Sequence, residues 1–389
     1  MIAPAVAGSA FATGPPAEAD WAVAVDAVAS LPLAAPVLLT CHVNPDGDAL
    51  GSMLAFGLGL RRRGHTAVQA SVPGLAAGAA DVPEPFAWLP GLDLLVPPAG
   101  VGPDPELVVS FDAASASRLR ELAAALARAP VSLVVDHHAS STGFGRINLV
   151  DPGAAATAVL VEGLLARLGV PLDQPIATCL YVALATDTGS FRYEGTTAAV
   201  HELAARLVAT GIPVGEVSRR LFDSRPFGAV LLFADVLART RLEQAAAGGA
   251  GLTWTWATLD DLERHGQRPH VLEALIDPVR VVAEVDVACV VKQVRLDEWS
   301  VSLRSKGAVD VARVAVELGG GGHRLAAGFT WHGDLDGVLA AIRGGLDAEA
   351  ATGPEPGPES GPEPGPGPAP DPRGRSGLTG GESCYRDRW

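Results

Sequence analysis

The stretch "PVLLTCHVNPDGDALGSMLAFGLGL", residues 36–60, decides the fold class. Its first seven residues are an apolar run of strand length ending at His42. From Ala49 to His65 the apolar residues recur at helical spacing. Between the two lies a short loop carrying His42, Asp46 and Asp48, broken by Pro45 and Gly47. Strand, loop and helix in that order open an α/β unit. Proline and glycine account for a tight turn, and one acid accounts for a helix cap. Turn chemistry leaves the histidine and the second acid unexplained.

The same pattern continues outward. "ELVVSFD" (106–112) and "VSLVVDHH" (131–138) read as buried strands that run out in acids or histidines. "TAVLVEGLLARLG" (157–169) and "IATCLYVALATD" (176–187) read as helices. Strands alternating with helices predict a parallel sheet wrapped in helices, a Rossmann-like α/β domain. Ligands of such sheets bind beyond the carboxyl ends of the strands, where these polar residues stand. Residues 21–31 predict an opening helix and 197–242 a mostly helical stretch. Residues 252–258, 285–294 and 299–305 supply strands for a second, smaller α/β domain, and "VDVARVAVELGGGGH" (309–323) reads as a helix running into a glycine loop. The expected boundaries are a disordered leader (1–20), a first domain (21–212), a helical connector (213–245), a second domain (246–346) and a disordered Pro/Gly-rich tail (347–389).

Composition removes several function classes. A formal net charge of −15 is the reverse of the basic footprint that long duplex nucleic acid demands. Cys41, Cys179, Cys289 and Cys384 form no CxxC pair, so neither a zinc ribbon nor a disulfide framework is indicated, and a cytoplasmic setting is expected. The N-terminus lacks the basic region of a signal peptide. No uninterrupted apolar run reaches the ~18 residues of a membrane-spanning helix, so no membrane partner is expected.

Four segments carry the chemistry: "HVNPDGD" (42–48), "SFDAAS" (110–115), "VVDHHAS" (134–140) and "ATDTGSFRY" (185–193). They place His42, Asp46, Asp48, Asp112, Asp136, His137, His138 and Asp187 where strands or helices end. Singly, each is explained as a turn, a cap or a surface pair. Jointly they bury charge at one sheet edge, which costs several kcal/mol per ion unless cations neutralise it. Asp46, Asp48, Asp112 and Asp187 bring four negative charges, matched by two divalent ions. Mostly oxygen ligands with one imidazole per ion suit Mn²⁺, with Mg²⁺ as the alternative. Two such ions ~3.5–4 Å apart activate water and polarise a phosphoryl oxygen.

These segments, in this order, resemble the motifs of the DHH phosphoesterase superfamily. "GGGGHRLAAGF" (319–329), preceded by "SLRSKGAVDVARVA" (302–315), resembles the signature of its DHHA1 partner domain. The two-domain form is similar to the bifunctional oligoribonuclease/PAP phosphatases, or nanoRNases, where PAP is 3′-phosphoadenosine 5′-phosphate. The resemblance implies His42, Asp46, Asp48, Asp112, His137 and Asp187 as ligands of two Mn²⁺ ions. Asp112 would bridge them, Asp46 joining the ion held by His42 and Asp48 the other. It implies an orienting Asp136 and a His138 facing the scissile phosphate, so that Asp112, Asp136 and His138 form the catalytic group. On the second domain it points to Arg304 and Ser305, to backbone N–H groups of Gly320, Gly321 and Gly322 as an anion cradle, and to His323 as a phosphate donor. Arg192 is a further candidate contact. The plain alternative for the glycine run is a helix C-cap and a loop. Cys41, adjacent to His42 on a strand, faces the other way and is expected in the core.

The implied substrates are very short oligoribonucleotides and PAP, with cyclic dinucleotides or their linear products as the alternative and a homodimer as the assembly. A cleft between two domains suits short chains, and no long basic track serves a polymer. A family II pyrophosphatase would lack the glycine-histidine signature. A RecJ-type exonuclease would add an oligonucleotide-binding fold, and the membrane-bound cyclic-dinucleotide phosphodiesterases would add spanning segments. From another class, a non-catalytic metal–nucleotide sensor would have lost one or more of the carboxylates, all of which stand here.

Overall fold

A computed structural model describes residues 14–352 of the chain. It begins with helix α1 (Glu18–Ala29), strand β1 (Val37–Cys41), helix α2 (Gly47–Arg62), strand β2 (Val68–Ser71) and strand β3 (Leu107–Phe111). Helix α3 (Ala123–Arg128), strand β4 (Val131–Asp136) and strand β5 (Ile147–Val150) follow. The five strands form one parallel sheet in the order β2-β1-β3-β4-β5. Helices α4 (Thr157–Arg167), α5 (Gln174–Asp187), α6 (Ala198–Ala209) and α7 (Val214–Phe222) complete this first module.

Alternation along the strands splits the core. Leu39, Cys41, Val109, Phe111 and Val135 face the α2–α4–α5 side, while Leu38 and Val108 face Leu119 and Leu126 on the other. Fully buried side chains such as Phe56, Phe111 and Leu39 each contribute about 1.5–3 kcal/mol of apolar burial. Helix α2 lies unusually close to α5. A Cβ on Gly51 would stand 2.4 Å from the Cys179 carbonyl oxygen, and one on Gly47 would strike Thr186. The "GDALG" spacing of the loop-to-helix stretch therefore permits the approach that brings the start of α2 to the end of α5.

The second module starts with α8 (Phe227–Ala238), β6 (Arg241–Glu243), β7 (Leu252–Ala257), α9 (Leu259–Arg264) and α10 (Ile276–Arg280). Strands β8 (Val287–Arg295) and β9 (Glu298–Arg304), helix α11 (Val311–Glu317), strands β10 (Gly321–His323) and β11 (Ala326–His332), and helix α12 (Leu335–Thr352) finish it. Its six strands run β10-β11-β9-β8-β7-β6 and are mixed, with only β7 and β8 parallel. Helices α11 and α12 cover one face; α8 and α10 cover part of the other. Both sheets lie in one compact unit. Among the described residues no helix is long and apolar enough to cross a membrane.

Several expected boundaries move. Helix α1 begins inside the expected leader, at Glu18, because Ala17 and Asp20 bond reciprocally across its first turn. Helix α12 runs to Thr352 on an apolar stripe of Val338, Leu339, Ile342 and Leu346, past the expected end of the second domain. Residues 1–13 of the expected leader and 353–389 of the expected tail lie outside the described residues. The expected connector is not one unit. Val217 of α7 packs in the first core, Leu232 and Val236 of α8 pack in the second module, and Arg241–Glu243 pairs with β7. The glycine loop is partly a strand, since Gly321–His323 pairs antiparallel with β11.

Candidate active site

The polar residues gather where β1, β3 and β4 end. Asp46 caps α2, accepting from the Ala49 N–H at 3.0 Å. Asp48, the second residue of α2 and fully buried, accepts from the Thr157 N–H at 2.6 Å, the Ala158 N–H at 3.0 Å and the Ser52 hydroxyl at 2.9 Å. It thereby caps the start of α4 from another helix. Asp112 follows β3 at φ 55°, a left-handed conformation uncommon outside glycine, with its N–H held by the Val135 carbonyl. Thr157 also donates its hydroxyl to Asp112 at 3.0 Å. Asp187 ends α5, the negative end of the helix dipole, where a carboxylate is unfavourable without a cation.

Two imidazoles point into this group in a defined tautomer. His42 Nδ1 lies 2.8 Å from the Val43 carbonyl, and His137 Nδ1 lies 3.0 Å from the Ala154 carbonyl. Each carbonyl takes the Nδ1 proton, which leaves Nε2 as a lone pair toward the carboxylates. His42 Nε2 stands 3.4 Å from Asp112 and 3.7 Å from Asp46. His137 Nε2 stands 3.1 Å from Asp187, 3.5 Å from Asp112 and 3.8 Å from Asp48. His42, Asp46 and Asp112 form one group with metal-ligand spacing; Asp48, Asp112 and His137 form another. The groups share Asp112.

The electrostatics ask for positive charge. Burial and the neighbouring charges of Asp112 and Asp187 hold the Asp48 carboxyl well above the usual range. Burial also raises Asp187, against the pull of His137. Burial alone would lower His42, but Asp112 and Asp46 push it up to about 10. Burial would likewise lower His137, yet Asp187, Asp112 and Asp48 raise it well above its usual value. Imidazoles so drawn to protonate mark a site short of cations. Oxygen-rich groups with one imidazole each fit divalent metal ions.

His138 borders the cluster, its Nδ1 3.7 Å from Asp112 Oδ1. Its Nδ1 sits 2.7 Å from Asp136 Oδ1, so the buried Asp136 fixes the tautomer and leaves Nε2 free. The second module meets it there. The His323 ring stacks on His138, centroids 4.8 Å apart, and lies 4.7 Å from His137. Burial and the nearby His137 and His138 hold His323 down at about 3, a neutral imidazole.

Other expected contacts are spent elsewhere. The Ser305 hydroxyl donates to Asp286 at 2.7 Å and accepts from the Gly307 N–H, which ties down its own loop. The Gly319 and Gly320 N–H groups donate to the Val316 and Ala315 carbonyls, so they end α11 instead of cradling an anion. Gly320 packs where a Cβ would meet the Gly328 carbonyl oxygen at 2.1 Å. Gly321 and Gly322 belong to the ladder with β11, and Gly321 lies against Ser140. Arg192 is exposed and donates from Nε to the Gly189 carbonyl at 2.5 Å. Cys41 packs in the core, its thiol pushed up by burial. Two participants were invisible in the sequence. Thr157 looks like any residue opening a helix. Arg118, whose Nη2 lies 3.3 Å from His42 Nδ1, looks like any surface arginine.

The model of the DHH family, N-terminal domain, matches residues 36–184, and that of the DHHA1 domain matches residues 257–346. A bifunctional oligoribonuclease and PAP phosphatase, NrnA, of Thermus thermophilus is 33% identical over 79% of this chain and 89% of its own. The chain belongs to the DHH family. As a DHH protein it is a metal-dependent phosphoesterase. The crystal structure of an exopolyphosphatase-related protein from Bacteroides fragilis superposes on this DHH protein with a TM-score of 0.74 at 21% identity, covering 86% of this chain and 98% of that one, a likeness of fold.

Proposed function

We propose that this DHH protein hydrolyses phosphoester bonds in very short oligoribonucleotides and in PAP. The observation that carries the reading is the pair of histidine–carboxylate groups sharing Asp112, with His323 of the second sheet stacked on His138 beside them. His42, Asp46 and Asp112 would hold one divalent ion; Asp48, Asp112, His137 and Asp187 would hold the other, with Mn²⁺ the expected metal. When bound, such a pair supplies Lewis acidity to a phosphoryl oxygen and acidifies water. The remaining work falls to the chain. Asp136 accepts the Nδ1 proton of His138 in a hydrogen bond and so supports the doubly protonated ring, whose Nε2–H can pass a proton to the leaving oxygen. His323 donates to a phosphate oxygen, and Arg304 offsets phosphate charge. The acidic chain offers no basic track for a long substrate.

The test is an assay with Mn²⁺ comparing pApA, PAP, cyclic-di-AMP and a 20-mer RNA. Turnover of pApA and PAP well above that of the 20-mer is expected, and preference for the 20-mer would overturn the short-substrate reading. Asp112→Ala should lower kcat by ~10³-fold or more while the fold persists. Retained activity in that variant would remove the metal assignment.

A further inference from the structure

Two imidazoles at the seam between the modules, His138 and His323, belong to neither of the histidine–carboxylate groups that share Asp112. With His137 they make a triangle of rings. The centroids lie 5.1 Å apart for His137 and His138, 4.7 Å for His137 and His323, and 4.8 Å for His138 and His323. One ring nitrogen from each lies within 4.8 Å of the other two. Three imidazoles bound to one tetrahedral zinc ion, through nitrogens ~2.0–2.1 Å from it, set their centroids about 5 Å apart. All three spacings match that value. Drawing the nitrogens onto one ion closes them to about 3.4 Å, a shift within the reach of side-chain torsions.

The far nitrogens are already disposed as in metal-ligating histidines, which pass their second N–H to a carbonyl or a carboxylate. His137 Nδ1 lies 3.0 Å from the Ala154 carbonyl, and His138 Nδ1 lies 2.7 Å from Asp136 Oδ1. Each ring therefore offers Nε2 to the triangle. His323 spends neither nitrogen on its own module, since among the described residues its ring makes no hydrogen bond. Burial and the nearby His137 and His138 keep it neutral. A neutral imidazole retains the lone pair that a metal takes. The backbone holds His323 in place: it pairs with Ala326, and Gly321, two residues earlier, lies against Ser140 in the loop that follows His138.

The donor set differs from that of the carboxylate groups. Mostly oxygen with one imidazole suits Mn²⁺ or Mg²⁺, whereas three nitrogens favour zinc. The charge of such an ion is offset by Asp136 on His138 and by Asp112 and Asp187 beside His137.

We propose that His137, His138 and His323 form a zinc site that ties the two modules together and shuts off the enzyme. An ion there takes His137 Nε2 from the Asp48–Asp112–Asp187 group and occupies the Nε2 of His138. It also holds His323 of the second module against the first, and its fourth position is left to water. The loss of turnover rests on the phosphoesterase reading above; the binding of zinc does not.

The experiment uses the full chain, stripped of metal by a chelator, with Co²⁺ standing in for zinc as a coloured probe. Four-coordinate cobalt on nitrogen ligands absorbs visible light intensely; six-coordinate cobalt on oxygen ligands absorbs it weakly. Wild type is expected to give the intense band, and Zn²⁺ to bleach it. Asp46→Asn, in the His42 group, should leave the band in place. His323→Gln should abolish it and weaken zinc binding about 100-fold in a competition titration. His323→Cys should restore a four-coordinate site and add a thiolate-to-cobalt band in the near ultraviolet. A wild type with only the weak band overturns the proposal, as does an intense band that survives His323→Gln. Where His323→Gln does not fold, the thiolate band of His323→Cys carries the same decision. For turnover, Zn²⁺ is titrated against pApA hydrolysis in the presence of Mn²⁺. Half-inhibition of the residual activity of His323→Gln should need about tenfold more Zn²⁺ than that of wild type. Equal sensitivity overturns the shut-off role. If wild type hydrolyses no pApA, the phosphoesterase reading fails, while the cobalt band still decides the site.

Discussion

Asp48 in the first module and Asp261 in the second are equally buried, at 0% and 1% exposure, and behave in opposite ways. Burial raises both. Asp261 is then brought below the usual range by Arg239 and by the Thr258 backbone and hydroxyl, both at 2.8 Å. Asp48 has three good donors of its own but looks onto Asp112 and Asp187, and it stays well above the usual range. The two modules finish their charge balance differently. Around Asp261 the chain brings its own cation; around Asp48 it brings more carboxylate. A cluster built from acids at a strand end, a left-handed turn and a helix C-terminus is complete only with cations from outside.

The contrast can be broken at either end. Asp261→Asn leaves Arg239 facing a neutral amide and should destabilise the protein by about 3 kcal/mol, read by denaturant unfolding. Because the folded pKa of Asp261 is depressed, its contribution is full above the ordinary carboxylate range and is lost as pH falls through the depressed value. The gap between wild type and variant should therefore close in acid; a gap that persists there would show that packing, and not the ion pair, is responsible. Next in size is the effect of metal. Adding Mn²⁺ to chelated protein at 100 times its dissociation constant should stabilise it by about 2.7 kcal/mol per site, seen as a rise in Tm. An unmoved Tm would break the comparison.

The smallest effect is the sharpest. In chelated protein Asp187→Asn should stabilise by about 1 kcal/mol, since it removes a charge from both the crowd and the negative end of α5. The sign follows from its raised folded pKa. The carboxylate penalises folding above that value, and the penalty vanishes as pH falls below the ordinary range. With Mn²⁺ present the same substitution should destabilise. A variant that is less stable in both conditions would mean that Asp187 is not short of a cation.

Much of the site was legible because its signals are local. His42, Asp46 and Asp48 stand on one loop, and Asp112 and His137 follow apolar strands, so the ends of a parallel sheet had to bring them together. The second module was harder to read. A glycine run has little strand preference of its own, yet Gly321–His323 is recruited into the sheet by its ladder with β11. Ser305 sits in a motif beside Arg304 but spends its hydroxyl on Asp286, nineteen positions earlier in the chain. Short strands such as Val68–Ser71 and Ile147–Val150 carry too few residues to show a period.

The sequence by itself determined the parallel-sheet module, the chemistry of its carboxylates and imidazoles, and the need for cations, because each follows from residue type at the end of an element. Tertiary structure alone decided the partners. The close approach of α2 to α5, Thr157 holding both Asp48 and Asp112, the fate of the Gly320 N–H, and Arg280 lying on Tyr193 across the seam depend on register and packing between segments far apart in the chain. Those distances are set by how side-chain volumes fill the space between elements, and no local pattern records them.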